Sequence, residues 1–363
     1  MHAGKTSEHA SQALQAVKIS GLRAVFAYAF PWFRFQKWNQ TECTPMDDIM
    51  PEWVFGQIET WLKEQVFTGS RVHIGFGFDF YFLPKEVLQR IFSRVRKAGV
   101  KLITSHVVDS VEIGMQSPVK KMKEAELLGP DIVLSHCNRL DSTDLKTLSA
   151  HGIYVSSTPE TEAQMGLGWP MALEPHVNGS IGVDTHACGP STVLGQARSL
   201  LLLSRQQKNI QCLEQSKFPR TLRGNTEKVF NLATIEGARA VGMGDRMGKI
   251  AKGYLADLVI FNTTSPSMLC AYQFDPLVAV LRHSDVRDVD TVIIDGKVRK
   301  QSGKLLPIQL EDGKKISYDE IGEILAQSQQ DISKRIDKVN LEKGRELLLG
   351  LLHITDDNFQ SAD

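Results

Sequence analysis

Strand-like and helix-like segments alternate along the first half of the sequence. Six short apolar runs with the length of buried strands are separated by amphipathic stretches of helical spacing, and they cover residues 21–28, 71–78, 101–105, 131–135, 152–156 and 181–183. Parallel strands are buried on both faces and are joined by helical crossovers. The alternation therefore predicts an α/β fold built on a parallel sheet or barrel.

Polar side chains follow three of these apolar runs. His106 comes directly after the third run, His136 after the fourth and Asp184 after the last. In a barrel of parallel strands, the carboxyl ends of the strands surround the active-site mouth. Two histidines and one aspartate at such positions predict a metal site or an acid/base site.

The composition limits the function classes. The chain has 363 residues with 42 basic and 42 acidic side chains, so its net charge is zero and no basic patch indicates nucleic-acid binding. The sequence has neither a signal-peptide core in its first twenty residues nor an apolar run of about 20 residues, which predicts no membrane association. Five widely spaced cysteines without a CxxC pair indicate a reducing compartment, and we expect a cytoplasmic protein.

The pattern changes after residue 204. Residues 206–219 are polar and predict a loop or irregular helix, whereas residues 226–241 predict a capped helix. Strands are expected at residues 254–262, 288–294 and 297–299, the last two joined by a hairpin turn at Asp295-Gly296. Two charged helices are expected at residues 318–338 and 341–352.

Three stretches of the second half resemble a known family. Residues 247–261 (MGKIAKGYLADLVIF) are similar to the C-terminal signature of the amidohydrolase superfamily, and residues 231–240 and 292–298 resemble its preceding helix and its sandwich hairpin. The similarity is best to the chlorohydrolase and cytosine/adenosine deaminase branch and covers roughly residues 8–305. It implies an incomplete TIM-type (β/α) barrel in residues 1–246, a small β-sandwich remnant in residues 247–305 and a C-terminal helical extension in residues 306–363.

The resemblance assigns roles to the strand-end residues. It implies that His106 and Asp184 bind a divalent metal, zinc or iron, and that His136 either binds the metal or polarises the substrate. Asp184 would also accept and return a proton. Asp109 stands where the branch often has a glutamate proton shuttle, and its side chain is one methylene shorter. The implied reaction is hydrolysis of a C–N or C–Cl bond of a small ring-containing substrate.

One part of the family pattern is absent from this sequence. Members of the branch carry a His-x-His pair on their first barrel strand, and no His-x-His occurs here. We therefore expect a chain that begins after the second barrel strand and leaves two sheet edges unpaired, which either a second copy in a homodimer or the C-terminal helices would cover. Three hypotheses stay open: a metal-dependent hydrolase, a non-catalytic accessory descendant, and an incomplete gene model. The sequence also resembles fungal members of the branch, some of which belong to secondary metabolism.

Other candidate residues have two interpretations each. His186 either supports the metal ligands from behind or is an ordinary loop residue, and Glu160 and Glu162 either contact substrate or complement a helix dipole. The aromatic residues that follow the first two strands either line the barrel mouth or pack within loops: Trp32, Phe33, Phe35, Trp38, Phe80, Tyr81 and Phe82. We expect His73 to be a core residue, His151 to be exposed, and Cys137 and Cys188 to serve packing.

Overall fold

A computed structural model describes residues 1–31, 34–65, 70–108, 117–351 and 354–355. Three residues named above lie outside the described residues: Trp32, Phe33 and Asp109. The expected end of the last helix, at residue 352, lies outside them too.

Helices and strands alternate as the sequence predicts. The helices are α1 (Ser7–Ser20), α2 (Glu52–Lys63), α3 (Lys85–Ala98), α4 (Pro118–Glu124), α5 (Ser142–Ala150), α6 (Pro159–Gln164), α7 (Val193–Leu213), α8 (Thr226–Leu232), α9 (Ile235–Ala240), α10 (Leu269–Phe274), α11 (Pro276–Val278), α12 (Tyr318–Ile336) and α13 (Leu341–Leu351). The strands are β1 (Ala24–Ala29), β2 (Phe35–Trp38), β3 (Cys43–Pro45), β4 (Val72–Gly77), β5 (Ile103–Val108), β6 (Ile132–Asn138), β7 (Tyr154–Ser157), β8 (Asn178–Ile181), β9 (Leu258–Phe261), β10 (Val289–Ile294), β11 (Lys297–Gln301), β12 (Lys304–Leu305), β13 (Ile308–Gln309) and β14 (Lys315–Ile316). Strands β1, β4, β5, β6, β7 and β8 correspond to the six predicted apolar runs, which confirms the α/β class.

The chain divides into two compact units. The first contains the described residues of Met1–Gly77 and Leu306–Asp363, and the second contains those of Phe78–Asp109 and Gln116–Leu305. In the first unit, β1 and β4 pair in parallel. The N-terminal backbone covers part of the other edge of β1, because the amide of His2 donates to the carbonyl of Ala27 at 2.8 Å and the amide of Ala29 donates to the carbonyl of His2 at 2.9 Å. Such pairing removes exposed backbone groups from the edge of the strand.

Aromatic side chains form the core of the first unit. The rings of Tyr28 on β1 and Trp61 on α2 lie 5.4 Å apart between centroids, and Phe30 and Phe76 lie 5.9 Å apart. All four side chains are buried. Edge-to-face aromatic pairs at these distances add about 0.5–1.5 kcal/mol each to the burial of their apolar surface.

Phe35 and Trp38, two of the aromatic residues expected in loops or at the barrel mouth, lie on a strand of a β-hairpin instead, so this prediction is wrong for them. Strand β2 pairs with β3 in antiparallel fashion. The turn between them is built by Asn39, whose Oδ1 accepts the amides of Thr41 and Glu42, a local signal for a turn. The indole of Trp38 donates to the carbonyl of Asn340 at 2.9 Å. The described aromatics of this segment therefore pack within the first unit.

The second unit contains four parallel strands in the order β5-β6-β7-β8. An apolar cluster packs between helices α7 and α8 and the segment before β8, with members Ala172, Leu173, Ala197, Leu200, Leu201, Val229, Leu232 and Leu281. This core supports the end of the strand series from which Asp184 emerges.

Several predicted boundaries of the second unit require correction. Helix α7 continues to Leu213, so residues 206–213 of the segment expected as a loop or irregular helix form regular helix, because their polar side chains stay exposed while the preceding turns pack in the core. The helix expected at residues 226–241 breaks into α8 and α9 at Thr234, whose backbone leaves the helical region. Strand β8 ends at Ile181, which places Asp184 three residues beyond the strand rather than directly after it.

A four-stranded antiparallel sheet in the order β12-β11-β10-β9 follows the parallel strands in the chain. The predicted hairpin between β10 and β11 is confirmed, and both turn residues, Asp295 and Gly296, have positive φ values of 55° and 72°. That combination is required by a type I′ turn. The expected domain boundaries at residues 246 and 305 stay a prediction. Within the described ranges, no helix has the length and apolar character needed to cross a bilayer.

Candidate active site

His106 lies on β5, and its orientation is set by Asp79. The backbone amide of His106 donates to Asp79 Oδ1 at 2.7 Å, and its Nδ1 lies 2.9 Å from Asp79 Oδ2. Because a carboxylate only accepts hydrogen bonds, Nδ1–H is the donor and Nε2 is left for another partner. Asp79 comes two residues after the end of β4 and was not predicted, although its position after a strand resembles that of the three predicted residues.

The charges around His106 change its pKa. Burial by itself lowers the pKa of this imidazole, but the hydrogen bond and negative charge of Asp79 and the charge of Asp184 act in the opposite direction. The net result is a pKa above the usual value of 6.5. The carboxylates therefore favour a cation at this position.

His136 occupies an irregular point of β6. The register between β5 and β6 shifts there, because Val107 faces His136 whereas Val108 faces Asn138. His136 and Cys137 have positive φ values of 70° and 59°. Left-handed backbone costs about 1–3 kcal/mol at a non-glycine residue, and bulges of this kind redirect side chains near functional sites. The strand thus turns the His136 ring away from the regular alternation.

The His136 ring is buried against polar groups from the next strand–helix segment. Its Nδ1 lies 2.9 Å from Oγ1 of Thr158 and 3.6 Å from Oε1 of Glu162. The same Oε1 accepts the backbone amide of Thr158 at 2.8 Å. Neither Thr158 nor this interaction of Glu162 was predicted, since both depend on how β7 pairs with β6.

The two histidine rings lie against each other. Their centroids are 5.7 Å apart and their planes are inclined by 20°. In both rings Nδ1 has an oxygen partner from the protein, and Nε2 is the remaining nitrogen. Histidines that bind metals are usually oriented through one ring nitrogen in this manner while the other coordinates the ion.

Asp184 lies in the exposed segment after β8 and has a positive φ of 54°. Its charge contributes to the raised pKa of His106, so the carboxylate acts on the same site. The described residues contain no group of three His, Cys, Asp or Glu side chains close enough to hold a metal ion. The structure therefore brings two donors together in a suitable orientation and leaves Asp184 at the periphery of the site.

Glu160 on helix α6 is hydrogen-bonded to helix α7 and lies close to Gly189 in the segment that carries Asp184. Its carboxylate accepts hydrogen bonds from Gln196 Nε2 at 2.9 Å and from Ser199 Oγ at 3.1 Å. A Cβ atom on Gly189 would lie 2.6 Å from Glu160 Oε2, so only glycine fits here without movement. Glu160 thus links helices α6 and α7 and limits the side chain that position 189 can hold.

The remaining candidate residues differ in their exposure. His186 is exposed, and His151 is exposed as expected, with its Nδ1 2.8 Å from the carbonyl of Thr147. His73 was expected in the core, but it is exposed, because the alternation of β4 directs its side chain outward between buried neighbours. Cys137 is buried and Cys188 is half-buried, and burial raises the pKa of the Cys137 thiol well above its usual value.

The aromatic residues that follow β4, Phe80, Tyr81 and Phe82, are mostly packed in the interior. Phe80 and Tyr81 are buried, and the Tyr81 hydroxyl lies 2.6 Å from Oγ of Ser105. Burial raises the pKa of Tyr81. Phe82 is 55% exposed, so it is the described member of this group that faces solvent.

Curated proteins similar to this chain are deaminases. A 5-methylthioadenosine/S-adenosylhomocysteine deaminase from Syntrophobacter fumaroxidans is 32% identical over 199 residues, which cover 54% of this chain and 43% of that protein. A 5'-deoxyadenosine deaminase from Methanothermobacter thermautotrophicus is 32% identical over 192 residues, covering 52% and 42%. The chain spans about half the length of the curated relatives it matches.

Solved structures share the fold. A zinc-bound adenosine deaminase from Xanthomonas campestris superimposes with a TM-score of 0.67 at 17% identity, over 92% of this chain and 75% of that one. An atrazine chlorohydrolase from Arthrobacter aurescens, complexed with zinc, gives a TM-score of 0.66 at 15% identity, over 82% and 66%. The amidohydrolase family model matches residues 92–299, which is more than half of the sequence. The chain belongs to the amidohydrolase family.

Proposed function

We propose that this chain is a metal-dependent hydrolase that cleaves a C–N or C–Cl bond of a small ring-containing molecule. The observation that carries the proposal is the pair formed by His106 and His136, whose Nδ1 atoms are both held by protein oxygens. The names of the relatives, adenosine-type deaminases and a chlorohydrolase, support the reaction class.

The metal ligands would be Nε2 of His106, Nε2 of His136 and the Asp184 carboxylate. Imidazole and carboxylate are ligands that suit zinc and iron, and three protein ligands plus water are usual for catalytic zinc. When bound, such an ion would lower the pKa of its water to about 7 and so supply hydroxide at neutral pH. Asp184 would have to move toward the histidine pair to complete this set.

The protein groups around the site have separate tasks in this proposal. Asp79 holds the His106 ring, and Asp184 accepts the proton of the attacking water and returns it to the leaving group. Asp109 remains a predicted proton shuttle outside the described residues. For a deaminase, water adds to the ring carbon that bears the amino group, the C–N bond breaks, and ammonia leaves with the returned proton.

The relatives direct the choice of test substrates. We propose 6-aminopurine nucleosides as the first class to assay, followed by chlorinated triazines. The primary experiment measures zinc and iron content by elemental analysis in the protein purified without chelator, together with the variants His106→Ala and Asp184→Ala. We expect about one ion per chain in the unmodified protein and loss of it in both variants. A folded, metal-free unmodified protein that releases no ammonia would contradict the proposal.

A second candidate function is that of a non-catalytic accessory protein. The observation in its favour is the lack of a three-donor group among the described residues. Such a protein would bind a ring-containing molecule without consuming it, so calorimetry would detect binding of a 6-aminopurine nucleoside while chromatography would recover it unchanged. The metal analysis above separates the two candidates.

We further propose that the protein forms a homodimer through α12. None of the side chains of α12 is buried, and its apolar members lie on one side of the helix at helical spacing: Tyr318, Ile324, Leu325, Ile332 and Ile336. Helices of this type are usually stabilised by packing of the apolar face. Light scattering should give twice the mass of the chain, and Leu325→Lys with Ile332→Lys should give the monomer. A monomeric unmodified protein would contradict this proposal.

The cellular setting is also a proposal. The free state of all five cysteines supports a reducing, cytoplasmic compartment. Detection of the native protein by cell fractionation would test the compartment. A role in secondary metabolism rests on the sequence resemblance alone. The proposed barrel, sandwich remnant and helical extension would be tested by limited proteolysis near residues 246 and 305.

A further inference from the structure

A fully buried carboxyl group lies beside His136. Glu162 has no exposed surface, and its Oε1 accepts the backbone amide of Thr158 at 2.8 Å. Its Oε2 has no hydrogen-bond partner anywhere in the part of the chain that the structure describes. Burying a polar group without a partner costs about 1–3 kcal/mol, and such groups are uncommon. The burial of Glu162 with one unpartnered oxygen therefore requires an explanation.

The geometry around Nδ1 of His136 favours one position of the imidazole proton. Two oxygens face this nitrogen, Oγ1 of Thr158 at 2.9 Å and Oε1 of Glu162 at 3.6 Å. Oε1 accepts the Thr158 amide, and as part of a carboxylate it presents only lone pairs to the ring. The Thr158 hydroxyl can donate or accept, so it suits either tautomer, but an unprotonated Nδ1 would place its lone pair against that of Oε1, which is unfavourable in a buried, weakly polar environment.

We propose that Glu162 is a positioning residue that, together with Thr158, holds neutral His136 in the tautomer protonated at Nδ1. In this tautomer Nε2 carries a lone pair. His136 then acts as a metal ligand or proton acceptor, and it does not donate a hydrogen bond to the substrate. The inference rests on the proposed function because it assigns the role of His136 within that site, and it decides between the two roles that the sequence left open.

The backbone at His136 supports this assignment. The positive φ values of His136 and Cys137 restrict where the ring can lie, and the His136 side chain is only 5% exposed. A ring enclosed in this way cannot exchange its two nitrogens by rotating freely. The identity of the atoms near Nδ1 therefore determines which nitrogen is protonated.

The test is the tautomer of His136 in the metal-free, unmodified chain. Long-range proton–nitrogen NMR on protein labelled with ¹⁵N-histidine distinguishes a protonated from an unprotonated ring nitrogen, and the His136→Gln variant assigns the signals. At a pH where His136 is neutral, we expect Nδ1 to be protonated and Nε2 to be unprotonated. A neutral ring protonated at Nε2 in the unmodified protein would overturn the proposal, whether or not any variant folds.

Two variants test the role of the oxygens. In Glu162→Gln the amide can present its NH₂ group to Nδ1, and in Thr158→Val the hydroxyl is removed, so we expect both to increase the Nε2-protonated form. Both should also weaken zinc binding about 10- to 100-fold, as is usual when the partner of a metal-binding histidine is lost. The matched control is Glu174→Gln, which removes the same charge from a pair with Arg223 and should change neither measurement. An unchanged tautomer in both test variants would overturn the role of Glu162.

Failure of the proposed function would look different. If the unmodified protein shows the expected tautomer but binds no metal and turns over no substrate, the hydrolase proposal is wrong and the role of Glu162 stands. If metal and turnover are present with the opposite tautomer, the hydrolase proposal stands and His136 is a donor to the substrate.

Discussion

Both carboxylate oxygens of Asp79 contact His106: Oδ1 accepts its backbone amide at 2.7 Å, and Oδ2 lies 2.9 Å from Nδ1 of its ring. One side chain therefore fixes the strand and the imidazole together. Asp79 is 8% exposed at its side chain, whereas His106 is 41% exposed, so the support is buried and the imidazole reaches solvent. This arrangement suits a ligand that must be rigid and accessible.

Replacement of Asp79 by asparagine should weaken metal binding. The Asp79→Asn variant would keep the shape of the side chain but lose the charge that favours the Nδ1–H donor, and we expect zinc affinity to fall about 10- to 100-fold. Competition with a chromogenic chelator measures the affinity. Asp331→Asn, a surface change on α12, is the control and should leave zinc affinity unchanged. Equal affinity in the two variants would show that Asp79 does not support a ligand.

The stability of the metal-free protein should depend on the His106–Asp79 pair in a defined pH direction. The pKa of His106 is raised above 6.5 in the folded state, so protonated His106 contributes stability that is fully present below pH 6.5 and is lost as the pH rises through the folded pKa. We expect the free energy of unfolding to fall over that interval, and Asp79→Asn to remove this dependence. Urea unfolding at a series of pH values measures it.

Zinc binding should show the opposite pH trend. A histidine must be neutral to coordinate, so affinity rises as the pH increases through the His106 pKa. Calorimetric titration across the same pH interval checks this, and an affinity that falls with rising pH would contradict His106 as a ligand.

The core of the second unit should be sensitive at Leu200 and tolerant at Leu202. Leu200 is fully buried within the apolar cluster, whereas its neighbour two residues along α7 is 61% exposed. We expect Leu200→Ala to reduce the free energy of unfolding by about 2–5 kcal/mol. Leu202→Ala should change it by about 0.5 kcal/mol or less. Chemical denaturation of the two variants makes the comparison, and similar losses would show that the cluster does not stabilise the unit.

Two glycines should respond oppositely to alanine. A Cβ on Gly179 of β8 would lie 2.4 Å from the backbone oxygen of Ala172, which cannot move as a side chain can, so Gly179→Ala should destabilise by about 1–3 kcal/mol. A Cβ on Gly56, inside α2, meets nothing within 4 Å. Gly56→Ala should therefore stabilise by about 0.5–1 kcal/mol. Thermal unfolding of both variants tests the pair, and destabilisation by Gly56→Ala would contradict the packing described.

Periodic and turn signals were sufficient for much of the fold. The six parallel strands, the hairpin at Asp295-Gly296 and the two C-terminal helices were predicted because each depends on side chains that are close in the sequence. The prediction failed where distant contacts decide the outcome. The hairpin formed by β2 and β3 combines a local turn signal at Asn39, which was overlooked, with a distant contact in which the backbone of Asn340 holds the indole of Trp38, 302 residues away in the chain.

Local sequence was enough to predict an α/β chain with His106 and His136 on neighbouring strands, since apolar periodicity is a local property, although each strand continues two residues beyond the histidine that was expected to follow it. The groups that hold those histidines emerge only in the folded chain. Asp79 reaches His106 across 27 residues, and Thr158 reaches His136 across 22. Hydrogen bonds of this kind depend on strand register and on the irregular turn of β6, and neither leaves a periodic signal in the sequence.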